Sequence, residues 1–266
     1  MADVSRVLLT VEYDGTAYAG WQRQINGLSV QQVLEEALSE LCKEQIKVTG
    51  ASRTDAGVHA RGQRAHFDTQ SHIPPDKYPF ALNTMLPPDI RVTEGIAVSD
   101  GFHARFMTCG KLYTYRIYNK RHASALLRNT FLHVPVPLSE EPMQRAAKTL
   151  LGTHDFAAFQ AAGGTAKTTI RTMREVNLVQ TENGFVFTIY GDAFLYNMVR
   201  IILGTLIEIG HGKLNDDAFF RSYQSLNRLD LGPTAPPHGL ELTRVDYPAT
   251  AFEDPESVRW HEDKEE

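Results

Sequence analysis

Cysteine is almost absent from this chain: Cys42 and Cys109 are the only two in 266 residues, and they carry no metal-ligand spacing. That usage fits a reducing compartment. Long apolar runs are missing too. Nothing approaches the length of a membrane span, and the chain does not open on a charged-then-apolar signal segment, so a cytoplasmic location is expected. Acid is missing from two stretches. Asp55 is the one carboxylate between Glu44 and Asp68, and Gly101 to Ser139 holds six bases and no acid. What remains is ordinary for a globular protein: 42% hydrophobic and 22% charged residues, enough to bury a sizeable core in one large or two small domains.

The net charge is −5, an awkward balance for a nucleic-acid binder. Its distribution removes the difficulty. Glu253 to Glu266 carries seven acids and two bases, so the last fourteen residues hold the whole −5 and read as a solvated acidic tail. Lys47 to Arg128 carries twelve bases against six acids, a local +6. Within it Arg116, Lys120, Arg121 and Arg128 alternate with Tyr113, Tyr115 and Tyr118. Such a basic, aromatic stretch suits phosphate neutralisation, and a solvated strand face is the plain alternative.

Hydrophobic period gives the organisation. Val7–Tyr13 is an apolar strand closed by a Tyr13-Asp14-Gly15 turn. Ser29 and Gln32 make a capping box, after which Val30, Val33, Leu34, Ala37, Leu38 and Leu41 fall at helical spacing. Strands follow at Ile46–Gly50 and Gln63–Phe67, then a weak helix at Asp76–Met85 and a strand at Ile90–Val98. The order is β-α-β-β-α-β. The second half repeats it, with a strand at Lys111–Asn119 and a helix from Ser139 to a closing Gly152. Strands at Thr172–Val179 and Phe185–Tyr190 then flank the hairpin signal Asn183-Gly184. An apolar helix at Phe194–Ile209 and a strand at Leu240–Tyr247 complete the repeat. Asn215–Leu226 adds a helix, and Ala161–Thr169 reads as a linker or substrate lid, without Walker A or dinucleotide spacing. The fold expected is α+β, two ferredoxin-like halves with mixed or antiparallel sheets. Their spans are 1–105, which carries the Asp55 loop, and 106–250, with 251–266 as the tail.

The stretch that organises the chain is Ala51 to His66. Two strands need only a few residues between them, yet Ala51–Gly62 is longer and carries Asp55, Arg53, Arg61, His59 and two glycines, with Arg64 just beyond. A lone carboxylate among arginines stays ionised, which suits a nucleophile or base better than an acid. The plain alternative is an Asp that caps a turn. A metal site of Asp55, His59 and His66 has three suitable donors, but the arginines oppose a cation.

Arg53-Thr54-Asp55-Ala56-Gly57-Val58-His59-Ala60 resembles the central motif of the TruA family of tRNA pseudouridine synthases. The resemblance extends in order through Tyr13-Asp14-Gly15, Gly20-Trp21-Gln22-Arg23-Gln24, Ser29-Val30-Gln31, Asn83, Leu86-Pro87 and Phe102-His103-Ala104-Arg105. It continues through Lys111-Leu112-Tyr113-Thr114-Tyr115, Gly152-Thr153-His154-Asp155-Phe156, Phe194 to Arg200 and Gly239-Leu240. It runs from about Val7 to Tyr247. Ser52 departs from it, since many members have Gly before the Arg. The resemblance implies a pseudouridine synthase fold whose sheets face a central catalytic cleft. It also implies isomerisation of uridine in the anticodon arm of tRNA, at conventional positions 38, 39 and 40, with no cofactor and no metal. A homodimer with one tRNA across both subunits is implied as well.

It assigns the residues too. Asp55 becomes the catalytic carboxylate, and its task resembles glycoside cleavage, where a carboxylate attacks or stabilises an oxocarbenium-like centre; attack on the sugar carbon, attack on the base and removal of a sugar proton all stay open to it. Tyr113 becomes the aromatic stacked on the flipped uracil; strand alternation alone leaves Tyr113 and Tyr115 as core aromatics. Arg53 fills the space that a flipped base leaves and binds phosphate, against the plain reading of a solvated loop arginine. Arg200, on an apolar helix, needs a partner. The resemblance makes that partner Asp55, where the residues alone allow any structural ion pair. Arg105 is a further substrate-binding arginine. The competing functions are a metal- or carboxylate-dependent nucleoside or glycoside hydrolase and a non-catalytic RNA-binding module.

Overall fold

In the computed structural model residues 4–254 and 258 are described. They form an α+β structure of two compact units, the first running through Cys109 and resuming at Leu242, the second spanning Gly110–Glu241. Of the tail at 251–266, residues 251–254 and 258 are described, and the rest lies outside the described residues.

The first unit contains β1 (Ser5–Tyr13), α1 (Val30–Cys42), β2 (Thr49–Gly50), β3 (His59–Thr69), α2 (Tyr78–Leu82) and β4 (Ile90–Val98). The strand order is β4-β1-β3 with β2 on β3, every pairing antiparallel. Apolar Val7, Leu8, Leu9 and Val11 put β1 at the centre, because a strand buried on both faces needs an unbroken apolar run. Leu8 packs with Phe102, Ala104, Met107 and Ala251. Helix α1 buries Val30, Leu34, Ala37 and Leu38, a stripe at helical spacing. Its start is only half a capping box: the Ser29 hydroxyl accepts from the Gln32 amide (3.3 Å), but the Gln32 side chain donates to Glu36 instead.

Two elements are shorter than their sequence signals. Ile46 and Val48 are buried, but the ladder holds only Thr49 and Gly50. The Ile46 amide donates to the Ser39 hydroxyl (2.9 Å) and the Val48 amide to the Glu35 carboxylate (3.0 Å). Side chains of α1 thus take the bonds a partner strand would have taken. The helix expected over Asp76–Met85 is a turn at Pro75–Lys77 and the five residues of α2. Asn83 ends it, exchanging two side-chain bonds with the Val92 backbone on β4.

The second unit contains β5 (Gly110–Tyr118), β6 (Leu132–His133), α3 (Glu140–Lys148), β7 (Gly152–Asp155), β8 (Ile170–Thr181), β9 (Gly184–Gly191), α4 (Met198–Gly210) and α5 (Ala218–Ser225). Its strands run β5-β9-β8-β7, with β6 parallel to β5. Neither β6 nor β7 is visible as a sequence period. The β8–β9 hairpin turns through Glu182 and Asn183, and Gly184 opens β9 at φ +139°, where a Cβ would sit 2.4 Å from the Ile117 carbonyl. Helix α4 begins at Met198 rather than Phe194, because Asn197 takes the left-handed conformation (φ 61°) and stands as its N-cap. It is apolar nearly all round and is buried accordingly. The last strand, β10 (Leu240–Asp246), begins at the end of the second unit's residues and continues into those of the first, and it neighbours β3. The short α6 (Thr250–Glu253) follows it. No helix among the described residues is long and apolar enough to cross a membrane.

Candidate active site

The connection that carries Asp55 is shorter than its sequence suggests. Strand β3 starts at His59, so His59, Arg61 and Gly62 belong to the sheet and the loop proper is Ala51–Val58. Tyr13 pairing with Ala60 fixes that start, after a register shift beyond Val11.

Several backbone groups beside Asp55 are held. The Trp21 amide donates to the Thr54 carbonyl (3.1 Å), the Gly57 amide to the Tyr18 carbonyl (3.3 Å) and the Val58 amide to the Asp55 carbonyl (3.1 Å). The buried Thr54 hydroxyl meets the Tyr13 phenol at 2.7 Å, a phenol that burial keeps neutral by raising its pKa. Gln63 exchanges two bonds with the Ser52 backbone. Gly20 at φ +94° comes so close that a Cβ would lie 2.5 Å from the Thr54 carbonyl oxygen. The outcome is alternate exposure: Thr54 and Val58 are buried, Arg53 and Ala56 exposed, and Asp55 half-buried. The turn after Asp55 closes through its main-chain carbonyl.

The histidines considered as metal ligands have other partners. His59 Nδ1 accepts from the Gly15 amide (3.0 Å) and lies 3.1 Å from Asp14. Burial disfavours the Asp14 carboxylate, but the Thr16 hydroxyl and amide and His59 outweigh it and hold its pKa below the usual range. His66 Nδ1 accepts from the Ala104 amide (3.1 Å). Arg64, expected beside the carboxylate, donates to Glu94 (2.7 Å) and Thr10 across the sheet.

Arg53 and Arg105 come together. Both line a cavity of about 150 Å³ with Trp21, Gln22, Gln31 and Thr49. Arg105 stands on a turn, Phe102–Met107, built by side chains. Arg6 donates to the Phe102 carbonyl (2.7 Å) and Tyr247 to the Ala104 carbonyl (2.6 Å). His66 and His103 supply acceptors from within, their rings 5.0 Å apart. The sequence offers His66 only as a candidate metal ligand and His103 only as part of a motif, since an acceptor role for an imidazole leaves no spacing signature.

This turn sets a pH dependence. Burial, then the neighbouring His103 and Arg6, pushes His66 from 6.5 down to about 3. Burial, then Arg6 and Arg105, pushes His103 down to about 4. Both folded values lie below the unfolded one, so unfolding takes up protons between them. The stability is therefore fully present above pH 6.5 and is lost as pH falls toward 3. For the buried His66 the slope approaches about 1.4 kcal/mol per pH unit. Urea midpoints measured from pH 7 to pH 5 should fall along such a slope, and His66→Leu should flatten it. A slope unaltered by that change would contradict the assignment.

In the second unit Tyr113 and Tyr115 are both buried and have different neighbours. Tyr115 is wholly buried, and its hydroxyl donates to the Pro236 carbonyl (2.8 Å), so it is a core residue. Tyr113 meets Phe194 edge to face at 5.0 Å. Phe194 leads into the turn before α4, and that turn also anchors Arg200, whose guanidinium donates to the Asn197 side chain (2.6 Å) and the Ala235 carbonyl (2.8 Å). One short segment thus joins Tyr113 and Arg200. Among the described residues no group of three or more His, Cys, Asp or Glu could hold a metal ion.

The family model for tRNA pseudouridine synthase matches residues 9–107 and 146–248. The tRNA pseudouridine synthase A of Acetivibrio thermocellus is 50% identical over 241 residues, which are 91% of this chain and 99% of that one. The Ruminiclostridium cellulolyticum protein of the same name is 48% identical over 243 residues, again 91% and 99%. That of Halalkalibacterium halodurans is 47% identical over 238 residues, 89% of this chain and 90% of its own.

Proposed function

The chain belongs to the tRNA pseudouridine synthase family, and on that premise we propose how it isomerises uridine to pseudouridine in tRNA: Asp55 is the catalytic carboxylate, acting at positions 38, 39 and 40 of the anticodon arm. The observation that carries the reading is the Asp55 loop. Its backbone is tied at Thr54, Asp55 and Gly57, while the carboxylate-bearing residue itself stays half-exposed beside an exposed arginine. A side chain held in this way is pre-organised for a reacting atom rather than for packing.

The reaction breaks the C1′–N1 bond of uridine and makes a C1′–C5 bond. A proton leaves C5 and N1 gains one, so the net change is nil in atoms and electrons. Asp55 attacks or stabilises the electron-poor centre that forms when the base departs. Tyr113 stacks on the uracil, and its phenol is suited to moving the proton. Arg53 occupies the space left by the flipped base. Arg105, on the same cavity as Arg53, holds a backbone phosphate. Arg200 serves as the counter-charge of the carboxylate. The assembly we assign is a cytoplasmic homodimer holding one tRNA across both subunits, working without cofactor or metal.

Two substitutions probe these roles. Arg53→Ala should slow single turnover far more than it weakens binding, because one phosphate contact among many contributes modestly, whereas help with extruding a base offsets a few kcal/mol. Unchanged single-turnover rates with collapsed binding would make Arg53 a phosphate anchor only. Arg200→Met should move the acid limb of the kcat/KM profile to higher pH, since a nearby cation favours the charged form of a carboxylate. An acid limb that stays in place would remove Arg200 from the site.

Incubation with unmodified tRNA in excess chelator tests the reaction class. Isomerisation predicts loss of uridine, gain of pseudouridine at equal mass and no free uracil. Release of uracil in step with turnover, or activity that returns only with added zinc, would favour a hydrolase instead.

A further inference from the structure

Arg105 reaches its cavity from a turn whose geometry depends on one imidazole. His103 Nδ1 accepts the amides of Arg105 (3.2 Å) and Phe106 (3.3 Å), the two residues that follow Ala104. The His103 ring stacks on Phe106 with centroids 4.2 Å apart, and the Arg105 guanidinium lies over the other part of that assembly, 5.6 Å from the Phe106 ring. The neighbouring His66 takes the Ala104 amide, so three successive amides of the turn end on two side-chain nitrogens. Backbone amides normally close such turns on carbonyls or on Asx and hydroxyl side chains. Here the acceptor is a ring that also stacks on Phe106, the ring under the arginine.

We propose that His103 is a positioning residue for tRNA binding: its Nδ1 and ring face fix the Phe102–Met107 turn so that Arg105 points its guanidinium into the cavity shared with Arg53, ready for a backbone phosphate. This rests on the reading above that Arg105 is a phosphate contact. The role requires Nδ1 unprotonated and the hydrogen on Nε2, and burial keeps the ring neutral well below its ordinary value. An arginine held in one direction loses less side-chain freedom when it meets its phosphate. Binding strength and salt dependence are therefore the properties that His103 controls.

The test is tRNA affinity against salt concentration for Arg105→Ala, His103→Ala, the double variant and His103→Asn. Arg105→Ala should lower the salt slope by about one and weaken binding roughly tenfold at 0.1 M salt, the signature of one lost phosphate contact. His103→Ala should reproduce most of both changes, and the double variant should be no worse than Arg105→Ala alone, because the two act as one unit. His103→Asn should restore the slope, since an asparagine oxygen accepts the amide two residues on. His103→Leu fills the ring's place without an acceptor and gives the same reading if the alanine variant does not fold. A slope lowered in Arg105→Ala but intact in both His103→Ala and His103→Leu overturns the proposal alone, as do effects that multiply in the double variant. An unchanged slope in Arg105→Ala overturns the phosphate contact and the proposal with it.

Discussion

Asp55→Asn should abolish pseudouridine formation while tRNA binding stays at the wild-type level. The amide keeps the shape of the carboxylate, so the main-chain bonds of Thr54, Asp55 and Gly57 have no reason to change. What disappears is the negative charge at an electron-poor sugar carbon. Loss of a nucleophile or of a charged partner to it lowers kcat by roughly 10⁴-fold or more. Phosphate contacts from arginines elsewhere carry the affinity and should be untouched. Single-turnover rates with enzyme in excess, read beside a binding isotherm for the same variant, check both halves. A variant with wild-type rates would remove Asp55 from the chemistry, and one that neither binds nor reacts would make Asp55 a binding or structural residue.

Gly20→Ala should be nearly as damaging to turnover, although residue 20 makes no chemistry. At φ +94° a non-glycine residue already costs about 1–2 kcal/mol. The new Cβ would also stand 2.5 Å from the Thr54 carbonyl oxygen and 3.2 Å from the Ala56 nitrogen, so the Asp55 loop has to move. Displacement of a catalytic group by about 1 Å costs on the order of 10²-fold. The same residue anchors α1, since the Val30 amide donates to the Gly20 carbonyl (3.2 Å). A lowered Tm together with a kcat down by about that factor and near-normal tRNA binding is the expected set. Wild-type kcat with a lowered Tm would show that the loop is more tolerant than its contacts imply.

How much of this is legible in the residues varies with the range of the interaction. The α1 stripe, the apolar run of β1 and the Asn183-Gly184 hairpin are local patterns, and each is found where its period places it, within a residue or two. Partner choice is not local. The strand expected at Ile46–Gly50 shrinks to Thr49–Gly50 because Glu35 and Ser39, on a helix, take the amides of Val48 and Ile46. Strand β3 begins four residues before the expected Gln63 because Tyr13 pairs with Ala60. The return of the chain to the first unit at Leu242 depends on which edge β10 meets, and no period in the sequence encodes an edge.

The site divides in the same way. The Arg53-Thr54-Asp55 motif announces itself, but the reason for its rigidity lies thirty to forty residues upstream, in Tyr13, Tyr18, Gly20 and Trp21. Alternation leaves Tyr113 and Tyr115 equivalent and both are buried, while the Tyr115 hydroxyl donates to the Pro236 carbonyl. Arg64 has the charge and spacing of a site residue, yet Glu94 holds it in the sheet. His103 lies within the Phe102-His103-Ala104-Arg105 motif, but its role is not legible until the amides of Arg105 and Phe106 are seen to end on its ring.

The central claim is that Asp55 converts particular uridines of the anticodon arm. Its most direct test is site mapping of pseudouridine in one unmodified tRNA after single turnover, with wild-type enzyme and Asp55→Asn side by side. Pseudouridine confined to positions 38, 39 and 40 with the wild type, and at none of them with Asp55→Asn, is the predicted result. Pseudouridine at those positions with Asp55→Asn, or at other positions with the wild type, would contradict it.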